Sequence, residues 1–432
     1  MYEDYCKKKL RTLNTYFTRD DLPKAMRDRL REFDQALSTN PPTKTRTPLT
    51  PPTRESYIRH AFFFSKYIYD KTGKIEYLPE KEGTNEKDIQ GYLDSIVQNK
   101  KKKYSSSHFN WAKLTIKIFY RWLYKMDAGY PNVVAWIKVG KDKPKKLTND
   151  DLLSAAEFRK ILNHCESQRD RAFFFMGYDS GARRGELLNL KIGDIRFLDG
   201  GKRAEATVCI NHKGKTEGAK RALLFFESVP DIKSWINMHP QKHLKDVNDC
   251  WLFTTIKKGG EIKPWGDEAS LQHFKRIAER AGIKKRIWIH QLRHTSATKD
   301  FRKDMPLQLM NMKYGWSPNS RMSMRYTHPN EADLLKFEKR TRGTLNTVEE
   351  KVEEEKQIKL LKPIICSNPD CNEINSAVAI RCRKCCTPLS YNAVVEDEKE
   401  LKNTLSEFVK IARIIDRDPE LKKRVLETLS KK

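Results

Sequence analysis

Proline decides where this chain can be helical. The stretch from Asn40 to Thr53, NPPTKTRTPLTPPT, is dense in Pro and Thr and reads as a linker. Proline lacks an amide hydrogen and clashes with the preceding helical turn. A second interruption, KVGKDKPKKLTN over 138–149, is basic and again carries a proline. Between these breaks apolar residues recur at helical spacing. The pattern divides the chain into an N-terminal helical segment (1–40), a linker (41–53), a helical domain (54–137), a second linker (138–149), a larger domain (150–345), a cysteine-bearing module (362–392) and a last helix (396–430).

In the first block LRTLNTYF and AMRDRLREFDQAL read as helices, with Asp20 or Asp21 as cap of the second. Tyr57, Ala61, Phe64 and Ile68 form one apolar face of YIRHAFFFSKYIY. Further helices begin at Asp88 and run from Ser107 to Tyr124, the latter mixing aromatic rings with Lys113, Lys117 and Arg121. The lysine run Lys100 to Lys103 suits a solvated turn or a phosphate contact.

Past the second linker, Ser154 with Glu157 three residues on is a capping box. RDRAFFFMGYDSGARRGELLNLKIGDI follows as a helix. AEATVCI and RALLFF alternate as strands around HKGKTEGAK, a β-hairpin or small sheet over 203–226. Residues 231–289 read as mainly helical, with WLFTT at 251–255 a short apolar break, and a helix from Trp265 to Ala281 is stopped by Gly282. The expected fold is mainly α with a small β-sheet.

Charge narrows the partner. The 432 residues carry a formal net charge of +28, which favours a polyanion. No apolar run reaches the roughly 18–20 residues needed to span a bilayer. The opening MYEDYCKKKL has no apolar core of a signal peptide. The expectation is a soluble, cytoplasmic protein without a membrane partner, acting on nucleic acid.

The stretch His290 to His328 carries chemistry. His290 and Arg293 sit three apart in HQLRHT, Gly315-Trp316-Ser317 follows, and Tyr326 arrives ten positions after Trp316. A proton-relay group, a guanidinium, an indole donor and a phenol suit attack by a tyrosine hydroxyl on a phosphodiester. Taken singly, each residue type is more often structural; their order and spacing point to the reaction.

At these residues the chain resembles the tyrosine recombinase (phage-type integrase) family. The resemblance rests on GARRGEL at 181–187, HQLRHT at 290–295, and GWS at 315–317 followed by RYTH at 325–328. It implies a helical core-binding domain at 54–137 that clamps the duplex, and a mixed α+β catalytic domain at 150–345. It further implies Arg183 and Arg293 as the phosphate-gripping arginines, His290 handling protons, Trp316 donating to a phosphate oxygen and Tyr326 as nucleophile. Lys213 on the hairpin would be the general acid, with Lys215 and Lys220 as competitors. Arg184 could contact phosphate, and Glu186 would fix the helix or orient an arginine. Tyr314 departs from the family, which often has a small aliphatic residue there. The Trp316–Tyr326 interval is one residue longer than in many members.

What the family does is then expected of this chain. It would be a site-specific DNA recombinase or integrase, cleaving and rejoining double-stranded DNA through a 3′-phosphotyrosyl intermediate without ATP. It would act as a homotetramer on two paired sites, and no cofactor would serve catalysis. A type IB topoisomerase-like relaxing enzyme and a non-catalytic DNA-binding protein of the same fold are the alternatives.

Five of the nine cysteines crowd between Cys366 and Cys386. Cys366 and Cys371, then Cys382 and Cys385, form two close pairs that suit one tetrahedral, structural zinc in a small ribbon, with Cys386 as an alternative ligand. Such an appendage looks more archaeal than bacterial. The segment 347–362 reads as a helical tether. The 396–430 helix, apolar at Leu401, Leu405, Phe408, Val409, Ala412 and Ile415, reads as packing on a partner or on its own domain.

Overall fold

A computed structural model describes residues 2–43, 45–99, 104–140, 151–209, 220–317, 360–417 and 419–429, with isolated positions between them. The Lys100 to Lys103 run, most of 141–150, Lys213, Lys215, Tyr326 and the tether before Leu360 lie outside the described residues. As expected, the architecture is mainly helical with small sheets. The chain divides into two compact units, Met1–Lys145 and Lys146–Lys432.

The first unit holds α1 (Tyr2–Thr18), α2 (Lys24–Thr39), α3 (Pro51–Thr72), α4 (Glu86–Val97), α5 (Ser106–Leu123) and the short α6 (Asn132–Ala135). Its core corrects the division expected at 41–53. Leu13 and Tyr16 of α1 and Met26, Leu30 and Phe33 of α2 share one apolar cluster with Phe62, Ile89 and Phe119. Phe33 stands edge-on to Phe119 at 5.1 Å, and the Asp34 carboxylate accepts from Arg54 Nε at 2.8 Å. Residues 1–40 are thus part of this helical unit. The proline-rich stretch also ends earlier than expected, because α3 starts at Pro51 after Thr50. Proline is at home in the first turn, where its missing N–H would have had no helical partner. Neither Asp20 nor Asp21 caps α2: its N-cap is Pro23, and Asp21 pairs with Arg19 at 2.6 Å. Asp88 is the third residue of α4, closing a capping box with Asn85. In α5, Lys117 turns inward and donates to the Ile137 carbonyl at 2.9 Å, beside the Tyr130 ring.

The second unit opens with α7 (Ala155–Asn163), whose capping box joins Ser154 and Glu157 as the sequence indicates. The long helix expected across GARRGEL is broken. α8 (Gln168–Ser180) stops at Gly181 in the left-handed region (φ 60°), and α9 (Arg184–Leu188) starts afresh with Arg183 as its N-cap. The glycine is required: a Cβ there would overlap Tyr314 Cε1 and lie 3.0 Å from Ser296 Oγ.

β1 (Ile195–Leu198), β2 (Arg203–Cys209) and β3 (Lys220–Phe225) form an antiparallel sheet in that order. The register runs from Ala204 opposite Phe225 to Cys209 opposite Lys220. Ala204, Ala206, Val208, Leu223 and Phe225 are buried, and by the same alternation so is Arg221.

α10 (Val229–Asn237) follows. The break at WLFTT is more than an interruption of helix: it leads into a two-stranded hairpin, β4 (Thr254–Ile256) with β5 (Ile262–Pro264). α11 (Asp267–Arg280) begins two residues after Trp265, which is buried against Phe173, and is followed by Ala281 as C-cap and by Gly282 in the left-handed region, the stop expected from the sequence. α12 (His290–Arg302) and α13 (Leu307–Tyr314) complete the described part of this domain.

The cysteine module has a two-stranded ladder, β6 (Ile364–Ile365) with β7 (Ile374–Asn375). It is docked on α10, where Arg383 Nη1 donates to the Pro230 carbonyl and to Ser234 Oγ, each at 3.3 Å. The final helix differs from expectation in extent: α14 spans Tyr391–Arg417 and α15 spans Pro419–Leu429. Leu401, Leu405 and Phe408 on α14 are exposed. Among the described residues, no helix is long and apolar enough to cross a membrane.

Candidate active site

Two elements bring the motif residues together. α12 carries His290, Arg293 and His294, three and four residues apart and therefore on one face. The His290 and His294 rings lie 4.7 Å apart, edge to face. Arg293 is only 2 % exposed. Its Nη1 donates to the Gly181 carbonyl at 2.8 Å, its Nη2 to the Tyr314 carbonyl, and its guanidinium lies over the rings of Tyr314 and Trp316. Such a group stays charged when buried, because its proton affinity is too high to surrender.

The second element is the α8–α9 break. Turning at Gly181 lets Arg183 leave the helix line and face the end of α13. Its Nη2 donates to the Gly315 carbonyl at 3.2 Å and its Nη1 to Glu186 Oε1 at 2.9 Å. Arg184 points elsewhere, paired with Asp267.

The end of α13 is the meeting point. Carbonyls of three successive residues each accept from a different arginine: Lys313 from Arg221, Tyr314 from Arg293 and Gly315 from Arg183. The last carbonyls of a helix lack intrahelical partners and carry its negative dipole end, so guanidiniums suit them. Trp316 emerges directly from this cap and stacks on Tyr314 at 5.0 Å.

Tyr314, the departure from the family pattern, fills a buried structural place. Its hydroxyl donates to Asp300 Oδ2 at 2.5 Å and lies 2.9 Å from Ser296 Oγ. Burial, then the Asp300 charge, raises its phenol far above the ordinary value, so it resists ionisation.

Arg221 and Glu186 complete the cluster. The Glu186 carboxylate accepts from Arg183 N at 2.6 Å, and from Arg221 Nη2 at 2.6 Å and Nε at 3.3 Å. Burial alone would raise this acid; the hydrogen bonds and charge of Arg221, with the charge of Arg183, hold it below its usual value. Sequence reasoning missed Arg221. The signal available was its phase, since in KRALLF it shares the inward parity of Leu223 and Phe225.

Of the expected site residues, Arg183, Arg293 and Trp316 converge, with His290 one helical turn from Arg293. Lys213 and Tyr326 lie outside the described residues; Lys220 pairs with Cys209 in the sheet.

In the cysteine module, one sulfur each from Cys366, Cys371, Cys382 and Cys385 lies within 4.8 Å of the others, a set that could hold a metal ion. Cys366 and Cys385 sulfurs are 3.5 Å apart, and those of Cys371 and Cys382 3.7 Å. A tetrahedral zinc with bonds of about 2.3 Å needs edges of roughly 3.8 Å. Asn375 Nδ2 and the Lys384 N–H donate to the Cys382 sulfur, as donors around a metal-binding thiolate do. Cys386 is not in the set; it is exposed, with φ 60°, and its N–H donates to the Cys382 carbonyl.

Comparison with known proteins follows the same lines. Residues 151–333 match the Phage integrase family. A tyrosine recombinase XerC-like protein of Caldanaerobacter subterraneus subsp. tengcongensis is 30 % identical over 270 residues, covering 56 % of this chain and 66 % of that one. Tyrosine recombinase XerA of Thermococcus onnurineus is 26 % identical over 267 residues, covering 60 % and 84 %. The chain thus spans about two thirds of the first relative's length. The crystal structure of XerH site-specific recombinase bound to difH substrate superposes with a TM-score of 0.52 at 17 % identity, over 73 % of this chain and 94 % of that one. At that identity the likeness is one of fold.

Proposed function

The chain belongs to the tyrosine recombinase (phage integrase) family, and from that premise we propose that it is a site-specific DNA recombinase or integrase. Its partner is double-stranded DNA, a reading supported by the fold it shares with XerH, which was crystallised bound to its difH substrate. Its working form is a homotetramer on two paired sites in the cytoplasm. The observation that carries this reading is the convergence of Arg183 and Arg293 beside Trp316 at the end of α13.

In the proposed reaction the Tyr326 oxygen attacks the scissile phosphorus, and the bond to the 5′-oxygen breaks. The phenol proton leaves through His290 or water. Lys213 supplies a proton to the departing 5′-oxygen. The pentavalent intermediate carries extra negative charge, which Arg183 and Arg293 offset; preorganised donors of this kind contribute about 2.7–4 kcal/mol each in a transition state. Trp316 adds one N–H donor and no acid–base ability. The 3′-phosphotyrosyl bond keeps the energy of the broken linkage, so a 5′-hydroxyl can reverse the step on a new strand without ATP.

The four cysteines Cys366, Cys371, Cys382 and Cys385 would hold one structural zinc. All its positions would be filled by thiolate, so its contribution is to folding the ribbon. The exposed apolar side of α14, at Leu401, Leu405 and Phe408, supports a role in protomer contact.

The test is a nicked duplex that traps covalent protein, screened over randomised sequence. Sequence-dependent adduct with wild type and none with Tyr326→Phe is expected; adduct in the variant would remove the assignment. Capture without sequence preference would favour a topoisomerase.

A further inference from the structure

We propose that Arg221 is a positioning residue for strand cleavage: it carries the charge of Glu186 and fixes the end of α13, which leaves the Arg183 guanidinium to the scissile phosphate. The inference rests on the recombinase reading of Arg183.

The geometry is a two-to-one cluster. One carboxylate, Glu186, stands between two guanidiniums. Arg221 approaches it side-on through Nε and Nη2, while Arg183 uses a single Nη1 and its backbone N–H. The two arginines differ in access. The Arg221 side chain is 3 % exposed and that of Arg183 is 38 % exposed. Of the two partners of Glu186, Arg183 is the one open to an incoming phosphate, while all three donor nitrogens of Arg221 are engaged within the protein. Arg221 is held by three bonds at once, its remaining Nη1 donating to the Lys313 carbonyl.

Consider the same site without Arg221. Glu186 is nearly enclosed and remains tied to the Arg183 backbone by the capping bond. Among the described residues, Arg183 would become its sole charged partner. An enclosed carboxylate with one counter-ion holds it tightly, since the alternative is an uncompensated buried charge. The Arg183 guanidinium, which already donates to Oε1 through Nη1, would then have to offset the whole carboxylate charge, and its own charge would be cancelled before DNA arrives. With Arg221 in place the cluster keeps one net positive charge, and that charge is on the exposed member. The second effect is geometric: the Lys313 carbonyl is two residues from the Gly315 carbonyl that receives Arg183, so Arg221 and Arg183 are set against the same short stretch of backbone.

A passive strut would also explain a buried arginine, and the test separates the two. Wild type, Arg221→Gln, Glu186→Gln and the double variant are compared for DNA affinity and for covalent capture at saturating trapped duplex. Glutamine at 186 retains the capping interaction, because Gln serves at that position as Glu does. For Arg221→Gln the expected result is unchanged affinity with capture slowed about 100-fold, the scale of losing one preorganised donor. Removing the acid as well should restore capture by about tenfold or more over the single variant, since nothing then competes for Arg183. Capture by Arg221→Gln at the wild-type rate would overturn the inference. So would a double variant as slow as the single, which is the behaviour of a strut. If Arg221→Gln loses its cooperative melt, Arg221→Lys decides: a lysine that folds, retains the charge and still leaves capture abolished is incompatible with charge compensation. Absence of adduct with wild type would instead sink the recombinase reading and this inference with it.

Discussion

Tyr314 lies over Gly181 so closely that one added methyl group on the glycine would overlap its ring. The contact joins the end of α8, where Arg183 is about to emerge, to the end of α13, where Trp316 does. Gly181→Ala should therefore cost about 2 kcal/mol or more, from left-handed backbone and overpacking together. Urea unfolding measures it, and a loss below about 0.5 kcal/mol would show that the two helix ends part easily.

The two tyrosines near the motif should separate cleanly. Tyr326→Phe is expected to bind DNA and give no adduct. Tyr314→Phe should still give adduct while losing about 1 kcal/mol of stability, because the variant leaves Asp300 and Ser296 without the hydroxyl. The reverse pattern would make Tyr314 the nucleophile.

Arg183 and Arg293 should fail in different ways. Both alanine variants ought to slow capture by about 100- to 1000-fold. Arg183→Ala should unfold much like wild type, its side chain being partly exposed. Arg293→Ala should also lose about 1–3 kcal/mol, because the Gly181 and Tyr314 carbonyls lose their donor inside the protein. Arg293→Lys should be poor in both measurements, since an ammonium cannot span two carbonyls as the planar fork does. Equal stability of the two alanine variants would contradict this division.

A buried acid pair beneath the site sets a pH dependence. Asp179 accepts from Phe226 N at 2.7 Å and from the Ser228 hydroxyl at 2.8 Å. Burial, then the charge of Glu227, pushes its carboxyl up to about 7. Against its own burial, Glu227 is held low by the charge of Lys299 and the bond to Asp179. An acid raised in the folded state favours folding fully below its unfolded value, about 3.9, and that contribution is lost as pH rises through about 7. Asp179→Asn, whose amide can donate to Glu227 as the protonated acid does, should gain melting temperature over wild type as pH rises from about 5 to about 8. A gain that does not change with pH would place the proton on another group.

Removing metal should unfold the ribbon and reach α10. Purified protein is expected to hold about one equivalent of zinc. On chelation, amides of 362–392 should exchange rapidly, and those of Val229–Asn237 should follow, because Arg383 leaves Pro230 and Ser234. Covalent capture should persist. Slow exchange in the chelated ribbon would show that it folds without metal.

What could be read from the sequence was what short segments decide alone. Ser154 with Glu157, and Gly282 after its helix, depend on neighbours a few residues away. The strand phases of β2 and β3 are similarly local. The end of the 41–53 linker was misplaced because a proline at the start of a helix and a proline in a linker look alike until Thr50 is seen to precede a first turn, and the shared core of residues 1–40 with the next helices rests on contacts between distant segments. The break at Gly181 is imposed by Tyr314 and Ser296, more than a hundred positions away. Arg221 was hidden for a related reason: its phase in KRALLF marks it as inward, but its partner Glu186 comes from another element and had to be seen in three dimensions. Arg183, Arg293 and Trp316 stood out only because three short motifs occur in order; the convergence of two of them on successive carbonyls had to be seen in three dimensions.

The acceptors at 313, 314 and 315 are main-chain oxygens, and every residue type supplies one. The acceptor at Lys313 therefore survives a change of its side chain, whereas Tyr314 and Gly315 are held by their own packing and backbone, and no other side chain can replace a guanidinium that reaches two acceptors at once. Drift at Lys313 and constancy at Arg221 should go together across related chains, and at that contact the invariant half would be the half that holds on, not the half that is held.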